Sequence, residues 1–163
     1  MTKVVKTLAT AMIATAPCSL ALARELPTAP FLPLTMAQDA ANAALAQCAD
    51  DGYQVAVAIV DRGGNLKLLV RADDTGPHII GGSIGKAFAS ASFGAPTAFF
   101  ADMIKNDPSF AGLRDTDSRM VILGGGLPIV IGDAHVGGIG VAGAPGTHLD
   151  ENCAQAGLDA VTS

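Results

Sequence analysis

Residues 120–146, MVILGGGLPIVIGDAHVGGIGVAGAPG, hold nine of the chain's 19 glycines in a sixth of its length. Two apolar runs, 127–131 and 136–141, flank the short turn Gly132-Asp133-Ala134, a pattern that reads as two strands of a hairpin. Gly124-Gly125-Gly126 precedes the first run and Gly143-Ala144-Pro145-Gly146 follows the second, so both glycine turns fall at one end of that hairpin. Glycine takes positive φ and lets other groups approach the backbone closely. One end of the hairpin is therefore expected to offer bare backbone with free N–H groups. It serves either as two tight turns or as a ligand site.

The N-terminus reads as a separate signal. Lys3 and Lys6 precede an uncharged, mostly apolar stretch over 7–22, and Ala21-Leu22-Ala23 fits a small-residue cleavage site. A secretory signal peptide is expected over 1–23, cut after Ala23, giving a periplasmic or secreted protein with no stable membrane anchor. Residues 24–34 carry Pro27, Pro30 and Pro33 and read as an extended arm, leaving one domain over 35–163. Without the signal, 8 basic and 15 acidic residues remain, a formal charge of −7. Such an acidic chain with no basic cluster does not suit nucleic acid or an anionic membrane. Half the residues are hydrophobic but only 4% are aromatic. Low charge with so much small apolar surface predicts a homo-oligomer. Cys48 and Cys153 survive cleavage, and in an oxidising compartment they either pair or stay as two buried thiols.

Thr35 and Gln38 have the spacing of a capping box, and Ala37, Ala40, Ala41, Ala44, Leu45 and Cys48 form the buried stripe of the helix that follows. Residues 53–60 and 66–71 read as strands joined by the turn Asp61-Arg62-Gly63-Gly64-Asn65. Asp61 and Arg62 either fix that turn or serve a site. A helix over 79–93 has nine small residues among its fifteen, with Lys86 as its one charge. So slim a helix must pack closely against protein or a flat ligand. A short helix over 96–105, a polar loop over 106–118 and a strand over 119–123 lead into the glycine hairpin. Thr147 to Asp150 opens the last helix as a variant capping box, with Cys153 on its apolar face. The order is α-β-β-α-α-β-β-β-α, an α/β (α+β) fold with a five-stranded antiparallel sheet flanked by helices.

Several blocks carry a family likeness: VAVAIVDRGG at 55–64, GPH at 76–78, KAF at 86–88, GAPT at 94–97, GGGLPI at 124–129, GIGVAGAPG at 138–146 and DENCA at 150–154. With these in order over about 34–161, the chain resembles the GlcG/HbpS family, also called the haem-degrading domain family. The resemblance implies a profilin-like fold with one antiparallel sheet. It also implies homo-oligomers, up to octamers in secreted haem-binding members, and haem bound outside the cytoplasm for sensing or handling.

Haem needs an axial ligand, an apolar slot and, often, cations for its propionates. Of three histidines, His78 opens the small-residue helix and is expected as the iron ligand, with His148 beside the Gly143–Gly146 turn as the second choice. His135, at the hairpin tip, is expected to be solvated. Arg71 and Lys86 are the nearest basic candidates for the propionates. No c-type haem motif is present, so the haem would be non-covalent. In the rival reading, an enzyme or binding protein holds a small organic acid on the N–H groups around Gly124, Gly125, Gly126 and the turn containing Pro145. His78 is then the base and Lys86 the anion partner. A third reading is a ligand-free oligomeric interaction protein.

Overall fold

The structure, a computed structural model, describes residues 25–162, so the signal peptide expected over 1–23 lies outside the described residues. Helix α1 (Leu34–Asp50) is followed by strands β1 (Ala56–Asp61) and β2 (Leu66–Arg71), then helices α2 (Ile79–Phe93) and α3 (Thr97–Asn106). A 3-10 helix (Pro108–Asp115), strands β3 (Gly126–Ile131) and β4 (Ala134–Ala142) and helix α4 (Thr147–Thr162) complete the chain. The four strands form one antiparallel sheet in the order β2-β1-β4-β3. No helix of the described residues is long and apolar enough to cross a membrane.

The alternation of a strand decides what each face meets. Val57, Ile59, Leu127, Ile129, Ile139 and Val141 point to one face, where they pack on the alanine stripe of α1 and on α4. The helices cross closely enough there that a Cβ at Gly157 would stand 2.6 Å from the Ala40 carbonyl oxygen. Cys48 and Cys153, both fully buried, form a disulfide across this crossing.

On the other face Gly138 and Gly140 pair with Val60 and Ala58 of β1, and Gly126 of β3 pairs with Gly140. Helix α2 lies directly on this patch. A Cβ at Gly138 or at Gly126 would stand 2.5 Å from the carbonyl oxygen of Ala87 or of Lys86, and a Cβ at Gly140 would collide with that of Ser83. The small residues of α2 and the glycines of the sheet thus answer each other, backbone against backbone. Polar side chains of α2 then reach the strands: Ser90 Oγ donates to the Leu127 carbonyl (3.1 Å).

The fifth strand expected over 119–123 does not form. Val121 N–H donates to the Gly85 carbonyl of α2 (3.2 Å), and the Thr97 hydroxyl donates to the Leu123 carbonyl (2.6 Å). The segment is held by helices, so its backbone is not available to a strand. The Arg119 guanidinium sits 4.0 Å over the Phe88 ring and bonds Asp117, whose carboxyl is held down to about 2 by that bond. The capping box at Thr35 is also absent. Pro33 is the N-cap of α1, without a side-chain cap, which leaves Thr35 and Gln38 inside the helix.

The first turn is fixed by Asp61, whose Oδ1 accepts from Gly63 N (2.8 Å) and Asn65 N (2.9 Å). Partial burial raises this carboxyl's pKa. The bonds from Asn65 and Gly63, with the charge of Lys67, lower it by more, so the balance is a depressed value.

Two outcomes follow for stability. Replacing Cys48 and Cys153 by Ala opens a link of sequence separation 105, and urea denaturation should show a loss of up to about 5 kcal/mol. Gly140→Ala should prevent native folding or clearly destabilise it in the same titration, whereas Gly81→Ala, in a helix with nothing within 4 Å of its Cβ, should be neutral or stabilising by up to about 1 kcal/mol.

Candidate functional site

Lys86 and Asp150 come from α2 and α4 and meet beneath the glycine turns. Their Nζ–Oδ2 distance is 2.7 Å and each residue is 3% exposed. The ammonium also donates to the Val141 carbonyl (2.9 Å), and the second carboxylate oxygen, Oδ1, accepts from Ala144 N (2.9 Å). A Cβ at Gly125 would stand 3.0 Å from Nζ and 2.7 Å from the Asp150 Cβ, so glycine is needed to admit the pair. Two buried charges are tolerable only when paired and hydrogen-bonded, and here each answers the other. Lys86, expected to hold a ligand carboxylate, neutralises Asp150. Asp150, read as a cap from its place in the first turn of α4, instead ties α2, β4 and the turn around Pro145 to α4.

Three of the N–H groups expected to be free at this end are taken. Gly126 N donates to Thr97 Oγ1 (2.9 Å), and Gly125 N to Glu151 Oε2 (3.3 Å). With Ala144 N on Asp150, these three N–H groups are bonded to the protein's own oxygen atoms. Gly125, at φ 109°, and Gly143, at φ 128°, have the left-handed backbone that glycine favours.

Beside the hub a groove of about 300 Å³ opens between α3 and the start of α4. Ala98 and Ala101 of α3 form one wall. Thr147, His148, Glu151 and Asn152 of α4 form the other, with Gly124 between them and Asp102 at the rim. Thr147 closes on Gly124, where a Cβ would lie 3.2 Å from the Thr147 Cβ. His148 is exposed, its ring folded over Gly146. The groove thus presents an imidazole, two carboxylates and small apolar side chains. Sequence reasoning marked His148 and Gly124 but missed Ala98, Ala101, Asp102 and Glu151. For the three on α3 the only signal was helical spacing, and Glu151 stood only within the DENCA block at 150–154.

His78 is exposed at the N-cap of α2, its ring folded over Gly76, and lines neither this groove nor two others on the surface. Arg71 is exposed at the end of β2. It pairs with Ala56, which pairs with Ala142, so Arg71 shares the sheet end that leads into the Gly143–Gly146 turn. Pro145 is exposed in that turn. His135, expected to be solvated, is half-buried, with Nε2 2.9 Å from the Gly137 carbonyl oxygen. No cluster of three or more metal-ligating side chains is found among the described residues.

Breaking the buried pair one-sidedly should be expensive. Lys86→Met or Asp150→Asn should each lower the unfolding free energy by about 3–5 kcal/mol in denaturant titrations, and Lys86→Met with Asp150→Leu should be more stable than either alone.

A family model described as "Haem degrading protein HbpS-like" matches residues 32–159. HbpS of Streptomyces reticuli, crystallised as a double mutant, is 40% identical to this chain. The match covers 90% of this chain and 97% of that one, with a TM-score of 0.77. An uncharacterized 15.0 kDa protein from the dhaT-dhaS intergenic region of Citrobacter freundii is 32% identical over 127 residues, 77% of this chain and 89% of the relative. PduOC, solved in complex with haem, is 22% identical, and the match covers 80% of this chain and 95% of that one; its TM-score of 0.74 shows the shared fold. With a family model spanning nearly all the described residues and a 40% identical structure superposing over them, this chain belongs to the HbpS-like family.

Proposed function

We propose that this protein is an exported haem-binding protein that holds haem non-covalently in the groove between α3 and α4, with His148 as the iron ligand. The observation that carries the reading is that His148 lines a groove of about 300 Å³ together with Ala98 and Ala101. Haem brings a flat apolar ring, an iron open to axial ligation and two carboxylates. His148 suits the iron, and the two alanines leave a wall without bulk for the ring. Asp102 and Glu151 suit the propionates badly, so these would project away from the acidic rim. Arg71, exposed at the same end of the sheet, is the basic candidate left for them, because Lys86 is already paired.

Family membership supports haem handling in general, and the charged n-region and Ala21-Leu22-Ala23 support export. The patch beside the groove supports self-association. Phe99 on α3, Phe110 and Leu123 are 58%, 44% and 48% exposed, and large apolar side chains left bare in one region mark interaction surfaces. Homo-oligomers up to the octamer implied by the family resemblance would cover them. The organic-acid reading is weakened, because Glu151, Thr97 and Asp150 occupy the N–H groups of Gly125, Gly126 and Ala144.

Haem titration of the processed chain tests the proposal. A shifted Soret band should appear, His148→Ala should abolish it, and His78→Ala should leave it. A band lost in His78→Ala and kept in His148→Ala would move the ligand to the start of α2. A spectrum of free haem throughout would end the haem reading.

A further inference from the structure

The extended arm forms a second groove, far along the chain from the first. Leu32 is 1% exposed and anchors the arm against the core, yet the neighbouring Phe31 ring is 79% exposed. Phe31 and Pro30 of the arm, together with Val136, make the apolar wall of a groove of about 330 Å³. Its other side carries Asp61, Arg62 and Lys67. The oxygens of Asp61 accept from Gly63 N, Asn65 N and Asn65 Nδ2, so its carboxylate is spent on the turn. Neither Arg62 nor Lys67 is in a salt bridge among the described residues. Lys67 is the extra residue of a β-bulge: Ile59 pairs with Leu68 and Val60 with Leu66. Bulges recur where a side chain has to be re-aimed. In an acidic chain, two cations and an uncovered aromatic ring therefore face one groove with a net positive balance.

We infer that this groove binds a small carboxylate with an aromatic or branched apolar body, its charge held by Arg62 and Lys67 and its body set against Phe31 and Pro30. Guanidinium matches carboxylate in a two-pronged geometry and ammonium adds a point charge. A largely apolar pocket with a few placed polar groups is the common form of small-molecule sites. The site is independent of the haem groove.

Phenylacetate titrated into the ¹⁵N-labelled processed chain tests this. Saturable shifts should gather on the amides of Leu32, Gly63, Lys67 and Val136. 2-Phenylethanol, with the same ring and no charge, should bind at least tenfold more weakly, as should phenylacetate to Arg62→Gln/Lys67→Gln. Both cations lie off the core, and thermal denaturation of the double variant checks its fold. If that variant is unfolded, the comparison of acid with alcohol on the unaltered chain still decides. Equal binding of the two compounds, unchanged affinity in a folded double variant, or no shifts at these amides would overturn the inference.

Discussion

The contact that organises this molecule is the seating of α2 on the bare backbone of β4 and β3. At Gly126, Gly138 and Gly140 no Cβ fits beneath the helix. Such proximity leaves no room for the large side chains that fill most cores, which accounts for how little aromatic residue the chain needs. It also draws Lys86 beneath the glycine turns, where its ammonium needs a partner. Asp150 supplies it, and the first turn of α4 is fixed as a consequence. The opposite face, with α1, α4 and their disulfide, is an ordinary apolar core that holds the sheet from behind.

Much of this was legible. The glycine hairpin, the small-residue helix and the apolar stripe of α1 follow from periodicity and composition and fall where expected, whereas α4 buries Asp150, Cys153, Ala154 and Gly157, of which only Cys153 was expected on its apolar face. The purpose of the missing side chains was not legible. A row of glycines beside a slim helix looks the same whether it admits a flat ligand or the helix itself, since both demand the absence of Cβ. Residues 119–123 show a related ambiguity: a short apolar run next to a strand has no local mark distinguishing a sheet neighbour from a segment lying on a helix. Asp150 had the spacing of a cap, and only the fold brings a lysine 64 positions away to meet it. Whether Cys48 and Cys153 were paired depended likewise on the crossing of two helices distant in sequence.

These contacts relocate the functional question. The glycine turns are bonded to Thr97, Glu151 and Asp150, so they act as scaffold for the neighbouring groove. One wall of that groove is α3, a helix that buries Ile104 but leaves Phe99 exposed.

The most direct measurement is the paramagnetic broadening of backbone amide signals by ferric haem. The account predicts loss of the signals of Ala98, Ala101, Gly124, His148 and Glu151, with those of Gly138 and Gly140 kept sharp beneath α2. Broadening centred on Gly138, Gly140 and the first turn of α2 would mean that the helix lifts to admit the ring, and the account would be wrong.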